Sequence, residues 1–247
     1  MIRLIIAALF ILVFFICSIF IWFGMWIYGL LTKKNSDLLS LRIVQWAFRV
    51  IMLISGVRLE IYGEENVPKD RAVLYIGNHS GIFDVVTSYS RVPSLTGYIS
   101  KKEWSRIPFL GTWMKKLYCI FLDRESVKDG LNMILRSMDY IKRGISVFIY
   151  PEGTRSRDGI LHDFHPGSFK IATKTGCPII PVAVTGTAAI FEDQKPFLRP
   201  GRITLTYGKP IIPSELSDPD RKNIAGYTHS VIEDMLTRQE LTDNSGK

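Results

Sequence analysis

The first part of the chain is almost entirely apolar. No charged residue occurs in the 28 positions from 4 to 31, and a helix of that length reaches about 42 Å. A bilayer core is about 30 Å thick. The run ends in amphipathic aromatic residues and Lys33 and Lys34, which is typical of a membrane interface, whereas a signal peptide has a shorter apolar core and a small-residue cleavage site. The pattern predicts a retained membrane anchor.

A second apolar segment, residues 38–57, is amphipathic. Its polar residues Arg42, Gln45 and Arg49 share one helical face. This helix could lie in the headgroup layer with its arginines reaching phosphates, or pack back against the first helix. Residues 35–37 predict the intervening turn and an N-cap. Full crossing of the bilayer and insertion into one leaflet both stay open, while the long apolar run disfavours core helices of a soluble fold.

After Gly56 the pattern changes to short apolar runs, at 72–76, 117–122, 146–150, 179–184 and 203–207. Several are apolar throughout, as expected of strands covered on both faces of a sheet. Apolar residues recur at helical spacing over 127–141, with Ser126 and Asp129 as a capping pair and Gly144 at the end. We therefore predict an α/β fold with a mixed, largely parallel sheet flanked by helices. We predict that residues 1–57 form a two-helix membrane anchor and that residues 58–247 form the α/β domain.

Composition and charge narrow the class of partner. Hydrophobic residues make up 47% of the 247 residues and charged residues 22%, which excludes a disordered or fibrous protein. The widely spaced Cys17, Cys119 and Cys177 argue against a disulfide framework or a thiolate zinc site and are interpreted as reduced packing residues. The net charge is +8, and residues 101–174 hold 14 basic and 8 acidic groups. This stretch should face an anion, unless it is only a solvated surface.

A His-x4-Asp spacing follows the first predicted strand. His79 would lie on the loop and Asp84 in the first turn of the next helix, so the chain could fold back and bring carboxylate to imidazole. The carboxylate would fix the ring tautomer, leaving the other nitrogen to take a proton from a hydroxyl. Capping and packing are the competing interpretation.

The chain itself offers no convincing nucleophile. It has no Gly-x-Ser-x-Gly elbow, and Ser168 does not have that spacing. A substrate hydroxyl is therefore expected to attack, which makes the reaction a transfer between two bound molecules. His162 and His165 lack partners at ligand spacing, so no metal is expected.

Two other strand ends carry candidate anion-binding residues. The segment 151–157, which includes Gly153 and Arg155, combines close backbone approach with a planar cationic group suited to phosphate. An ordinary turn with a surface ion pair is the alternative. Arg124 follows another predicted strand and could reach the same site, because parallel strands end on a common edge. The stiff apolar segment 178–182 is better suited to a pocket wall.

Taken in chain order, four blocks resemble the motifs of the glycerolipid acyltransferase family, with the closest likeness to the bacterial 1-acyl-glycerol-3-phosphate acyltransferases. They are Asn78-His79-x4-Asp84, Phe121-Leu122-Asp123-Arg124, Tyr150-Pro151-Glu152-Gly153-Thr154-Arg155-Ser156 and Pro178-Ile179-Ile180-Pro181-Val182. The likeness covers residues 70–210. It departs at Tyr150, where phenylalanine is usual, and at Cys177, where an aliphatic residue is common. Neither departure is expected to touch the chemistry.

The resemblance implies a role for each site residue. His79 would be the general base and Asp84 its orienting partner. The acceptor would be bound by Lys101, Arg124, Glu152, Gly153, Thr154 and Arg155, with the arginines on its phosphate. Lys102 is an equal candidate for the position given to Lys101.

The resemblance also implies a reaction. A fatty acyl group would pass from acyl-ACP or acyl-CoA to the sn-2 hydroxyl of lysophosphatidic acid, giving phosphatidic acid for phospholipid biosynthesis, without a cofactor. The enzyme would sit on anionic phospholipid of the inner (plasma) membrane, with its site on the cytoplasmic face. Glycerol-3-phosphate or another lysophospholipid is the alternative acceptor, and a membrane-anchored lipid hydrolase is the nearest rival. A basic nucleic-acid-binding protein is disfavoured because no helix-turn-helix, zinc-finger or RRM motif is present.

Overall fold

Two long apolar helices open the computed structural model, which describes residues 1–32, 36–123 and 125–245. They are α1 (Ile2–Thr32) and α2 (Asp37–Ser55), and both are long and apolar enough to cross a membrane. α2 ends at Gly56, whose φ of 73° lies in the left-handed region that glycine adopts without strain. Both predicted helices are thus present. Lys33, Lys34 and Asn35 lie outside the described residues, and Ser36 makes no capping side-chain bond to α2.

The rest of the described chain forms a seven-stranded sheet flanked by helices. Its strands are β1 (Val57–Tyr62), β2 (Leu74–Gly77), β3 (Thr96–Lys101), β4 (Ile120–Leu122), β5 (Ser146–Ile149), β6 (Ile179–Thr185) and β7 (Gly201–Tyr207). Their order is β1-β7-β6-β2-β5-β3-β4. Every neighbouring pair is parallel except β6 and β7. The predicted α/β class, with a mixed and largely parallel sheet, is confirmed.

Helices cover both faces of this sheet. They are α3 (Ile82–Tyr89), α4 (Leu110–Lys116), α5 (Val127–Lys142), α6 (Lys170–Thr175), α7 (Thr187–Ile190), α8 (Asp218–Lys222) and α9 (Ile224–Ser245). α5 begins as predicted, because the Ser126 hydroxyl accepts the Asp129 N–H at 3.1 Å.

Alternation along the strands divides the core in two. In β2, Tyr75 faces the side covered by α1 to α4 and α7, whereas Leu74 and Ile76 face the side covered by α5, α6 and α9. All three side chains are fully buried. Strands with both faces covered read as continuous apolar runs, which is why the sequence pattern locates β2.

The predicted strand at 117–122 is too long. The strand begins at Ile120, because α4 extends to Lys116 and the chain then turns at Tyr118, which has a positive φ of 62°. β1 and β3 have no counterpart among the predicted strands, because charged or small residues interrupt their apolar pattern.

α2 packs back against α1, which is one of the two alternatives for this helix, and also against α3. Buried Gln45 donates to the backbone carbonyls of Tyr89 and Val92, at 3.2 and 2.8 Å, at the end of α3. Arg42 donates to the Gln45 amide oxygen at 2.8 Å. α1 contacts α4 in turn, since Ser18 accepts the indole N–H of Trp113 at 2.7 Å. The two apolar helices are therefore joined to the α3 and α4 side of the sheet.

Candidate active site

The predicted site lies at the carboxyl-terminal edge of the sheet. β6, β2, β5, β3 and β4 are parallel neighbours in that order, so the segments that follow them leave the sheet on one side. The segment after β2 lies between those after β6 and β5. Residues far apart in sequence can therefore meet around it.

Asn78 fixes the start of the segment after β2. Its side-chain amide donates to the carbonyl of Val184 at 2.9 Å, and its amide oxygen accepts the N–H of the same residue at 2.8 Å. These bonds extend the pairing of β2 with β6 through a side chain. The residue that follows, His79, thus leaves from an anchored position.

His79 and Asp84 are in direct contact. Nδ1 of the imidazole lies 2.7 Å from Oδ2 of the carboxylate, and the imidazole is 12% exposed while the carboxylate is fully buried. The same Oδ2 accepts the backbone N–H groups of Ser80 and Gly81, at 2.7 and 2.8 Å. Asp84 therefore both caps the start of α3 and holds the histidine. Because Nδ1 faces the carboxylate, Nε2 is the ring nitrogen that can exchange a proton with a substrate.

The backbone of His79 is held from both sides. Its N–H donates to Glu152 Oε1 at 2.7 Å, and its carbonyl accepts the N–H of Ser156 at 2.8 Å. Glu152 Oε2 accepts the N–H of His162 at 3.2 Å. Burial raises the pKa of Glu152, although these backbone bonds oppose the shift. The structure thus places the Glu152 carboxylate on backbone groups of two loops, while its implied contact with the acceptor stays a prediction.

Tyr150 lies against the imidazole. Its ring stacks on His79 with centroids 4.3 Å apart and planes 18° apart, and its hydroxyl is 3.3 Å from Ser88 Oγ. Burial is the main cause that raises the pKa of Tyr150 well above its ordinary value, with the Asp84 charge as a further cause. The aromatic face of Tyr150 forms one wall of the histidine site. A phenylalanine would offer the same face, so the departure at position 150 is still expected not to touch the chemistry.

The turn after β5 carries four of the predicted acceptor-binding residues, Glu152 and the three residues that follow it. Gly153 has a φ of 73°, and a Cβ there would lie 3.1 Å from His165 Nε2, so a side chain would be strained and crowded. Thr154 is exposed. Arg155 Nη1 donates to Glu192 Oε1 at 3.2 Å, and that oxygen also accepts the N–H of Ile82 at 2.9 Å. The guanidinium is thus tied to the start of α3, close to the histidine loop.

The predicted lysines lie farther along the same edge. Lys101 ends β3 and pairs with Glu103 at 3.1 Å, whereas Lys102 lies 3.6 Å from both Asp123 and Asp129. All of these lysine side chains are about half exposed. β3 is separated from β2 by β5. Arg124, predicted to follow β4, lies outside the described residues.

The cysteines do not supply a nucleophile to this site. Burial raises the pKa of Cys119 to about 11 and also raises that of Cys177, while Cys17 is exposed on α1. A thiol held protonated is a weak nucleophile. Over the described ranges, no serine or cysteine side chain hydrogen-bonds the imidazole. In the same part of the chain, no three histidine, cysteine or acidic side chains cluster closely enough to hold a metal.

Two residues of the site have no signal in the sequence. The Thr187 hydroxyl donates to Asp84 Oδ1, and the Glu192 carboxylate holds both Arg155 and the start of α3. Both residues follow β6, more than a hundred residues beyond the loop they support. The parallel pairing of β2 with β6 brings them there, and neither belongs to a recognisable motif.

The sequence and the fold of the chain are similar to those of known proteins. The model of the Acyltransferase family matches residues 58–185. The chain is 36% identical over 173 residues to the chloroplastic 1-acyl-sn-glycerol-3-phosphate acyltransferase BAT2 of Brassica napus, covering 68% of this chain and 50% of that protein. It is 27% identical over 202 residues to the 1-acyl-sn-glycerol-3-phosphate acyltransferase of Borreliella burgdorferi, covering 81% and 79%.

The chain spans about half the length of the plant relatives that it matches. Its fold is similar to the crystal structure of the 1-acyl-sn-glycerophosphate (LPA) acyltransferase PlsC from Thermotoga maritima. The TM-score is 0.75 at 22% identity, with 96% of this chain and 97% of that one covered. This likeness extends over α1 and α2 as well as the sheet, because nearly the whole chain is included.

Proposed function

The chain belongs to the acyltransferase family, and we propose that it moves a fatty acyl group from a thioester donor to the sn-2 hydroxyl of lysophosphatidic acid, giving phosphatidic acid. The observation that carries this proposal is the 2.7 Å contact between His79 Nδ1 and the buried carboxylate of Asp84. The choice of lysophosphatidic acid as acceptor is supported by the relatives, which are named as 1-acyl-sn-glycerol-3-phosphate acyltransferases.

In the proposed reaction, His79 acts as a general base. Nε2 takes the proton of the sn-2 hydroxyl as its oxygen attacks the thioester carbonyl carbon. The carbon–sulfur bond then breaks, and the departing thiolate takes the proton from the imidazolium. Asp84 stabilises the imidazolium and fixes the ring tautomer. Proton transfer by a positioned histidine contributes about 10²- to 10⁴-fold to such rates.

Direct transfer between the two substrates fits the surroundings of the histidine. The imidazole contacts Asp84 and the face of Tyr150, and the thiols of Cys119 and Cys177 are buried with raised pKa values. The attacking oxygen is therefore assigned to the acceptor, and no acyl-enzyme intermediate is required.

We assign the acceptor phosphate to the cations at this edge of the sheet. Arg155 is 35% exposed and tied to the start of α3, so its remaining N–H groups can reach an anion beside the histidine loop. Lys101 has one exposed acidic partner, whereas Lys102 lies between two acidic side chains. This difference favours Lys101 over Lys102. We propose that Glu152, Gly153, Thr154 and Arg124 also contribute to binding the acceptor.

A membrane location suits both substrates. α1 exposes large apolar side chains along its length, including Leu9, Phe20 and Phe23, and lipid would cover them. The excess of basic residues at 101–174 suits anionic headgroups and an acyl-ACP or acyl-CoA donor. We propose the inner (plasma) membrane, with the site on its cytoplasmic face, where such donors are found.

A detergent assay that crosses two acceptors with two donors tests this function. Purified full-length protein is given lysophosphatidic acid, glycerol-3-phosphate or no acceptor, each with acyl-ACP or acyl-CoA, and the products are identified by mass. We expect phosphatidic acid with lysophosphatidic acid. If acylated product forms with glycerol-3-phosphate and not with lysophosphatidic acid, the proposed acceptor is wrong. If free fatty acid forms equally well without an acceptor, the protein is a hydrolase rather than a transferase.

A further inference from the structure

The carboxylate of Asp84 has a partner on each oxygen. Oδ2 takes His79 and two backbone N–H groups, whereas Oδ1 accepts the hydroxyl of Thr187, which is 1% exposed. A buried carboxylate is costly unless its oxygens are hydrogen-bonded. Thr187 therefore satisfies the side of Asp84 that faces away from the histidine.

The fold dictates the position of this hydroxyl. Thr187 begins α7 directly after β6, the strand paired with β2. The turn between β6 and α7 requires Gly186, because its φ is 82° and a Cβ there would lie 2.2 Å from the carbonyl oxygen of Arg202. The threonine is thereby aimed at Asp84 by the sheet rather than by the histidine loop. It also lies just beyond residues 58–185, where the family model matches.

We propose that Thr187 is a positioning residue for the reaction, holding the Asp84 carboxylate so that Oδ2 faces His79 Nδ1. This inference rests on the proposed role of His79 as the base. A carboxylate pinned at one oxygen cannot rotate about its terminal bond without losing that hydrogen bond. The hydroxyl thus keeps the imidazole oriented and draws negative charge toward Oδ1.

The loss of this hydroxyl has a predictable consequence. Without it, the negative charge shifts toward Oδ2, which binds a protonated imidazole more strongly, and a more alkaline solution is needed to free the base. Among the described residues, the titratable or charged groups that contact this pair or its loop include Tyr150, Glu152, Arg155 and Glu192. All of them are retained when Thr187 alone is changed.

α3 offers a matched control for this experiment. Thr87 is fully buried one turn beyond Asp84, and its hydroxyl has no hydrogen-bond partner within the described part of the chain. Thr87→Val therefore makes the same chemical change in the same helix as Asp84, without removing a bond to the carboxylate. A merely structural effect of exchanging threonine for valine would appear in both variants.

The test compares Thr187→Val, Thr187→Ser and Thr87→Val in steady-state acyl transfer over a range of pH. We expect Thr187→Val to lower kcat by about 10-fold, as small displacements of catalytic groups do. The KM for the acceptor should change little, and the acidic limb of the pH profile should move to higher pH. Thr187→Ser keeps the hydroxyl and should restore both kcat and the profile, while Thr87→Val should match the parent enzyme.

Two results would overturn the inference. One is a Thr187→Val enzyme with the parent kcat and pH profile, and the other is an equal loss in Thr187→Val and Thr187→Ser, which would assign the effect to packing. If Thr187→Val does not fold, Thr187→Ala replaces it, because alanine and serine also differ by one hydroxyl. Full activity of a His79→Ala variant would instead refute the proposed function itself, so the two failures are distinguishable.

Discussion

The ring of Tyr150 lies nearly parallel to the imidazole of His79, with centroids 4.3 Å apart. Two contacts therefore fix the plane of the base, the carboxylate of Asp84 at its edge and the aromatic ring on its face. Tyr150 Oη points away from the imidazole, toward Ser88 in α3. The ring, rather than the hydroxyl, is the part of Tyr150 that bears on the chemistry.

This arrangement predicts different results for two substitutions at position 150. Tyr150→Phe keeps the stacked ring and should retain acyl transfer within about threefold, while the lost hydroxyl contact should cost about 1 kcal/mol of stability. Tyr150→Ala removes a partly buried ring that packs against the core and should cost about 3 kcal/mol of stability. Its kcat should also fall by more than that of Tyr150→Phe. Thermal unfolding and initial rates measure the two effects separately, and an inactive but stable Tyr150→Phe enzyme would show that the hydroxyl takes part.

Arg155 is predicted to act on acceptor binding. Arg155→Ala should raise the KM for lysophosphatidic acid by about 10- to 100-fold, because a charge-assisted hydrogen bond contributes about 1.5 to 3 kcal/mol. The KM for the thioester donor should change much less. Arg157→Ala is the matched control, since it removes the same charge from an exposed neighbour in the same turn. Equal changes in acceptor KM for both variants would contradict a direct contact of Arg155 with the phosphate and would indicate a non-specific effect of positive charge.

Glu152 predicts a pH dependence of stability. Burial raises its pKa above the ordinary value of 4.5, so the folded protein binds this proton more tightly than the unfolded chain does. The stabilisation is therefore complete below that ordinary value and is lost as the pH rises through the raised value. Glutamine does not titrate. The stability of Glu152→Gln relative to the parent should thus increase as the pH rises above about 4.5.

Asp158→Asn provides a control of opposite sign for this measurement. Hydrogen bonds from the Ile160 N–H and the Ser156 hydroxyl are the main causes that lower the pKa of exposed Asp158. Its contribution to stability is present above its ordinary pKa and is lost as the pH falls through the lowered value. Because its ordinary pKa is 3.8, Asp158→Asn should lose stability relative to the parent as the pH rises toward 3.8, and should then stay level over the range in which Glu152→Gln gains. Parallel trends in the two variants would contradict the assigned shift of Glu152.

The apolar pattern of the sequence predicts most of the central sheet. It locates β2, β5, β6 and β7 to within two residues at each end, because buried strands are continuously apolar. The pattern misses β1, where Arg58 and Glu60 alternate with apolar residues, and β3, which contains Gly97. At Gly97 a Cβ would lie 2.4 Å from the carbonyl oxygen of Tyr118. Close tertiary approach, which has no local signature, selects that glycine.

The residues of the candidate site also fall into two groups, those that the local sequence predicts and those that it does not. His79 and Asp84 are predictable because one loop and one helical turn bring them together. Thr187 and Glu192 reach the same loop only through the pairing of β6 with β2. The contacts of the Glu152 carboxylate with backbone N–H groups of two loops likewise have no signal in the sequence. Strand order, which no single segment encodes, determines these supporting contacts.

The most direct test of the account is the rate of phosphatidic acid formation by a His79→Ala variant that keeps the circular dichroism spectrum and thermal transition of the parent. If the imidazole is the general base, the rate should fall by at least about 10²-fold with saturating acceptor and donor. A rate within a few-fold of the parent, at any pH in the active range, would contradict that role and leave the contact between His79 and Asp84 a structural one.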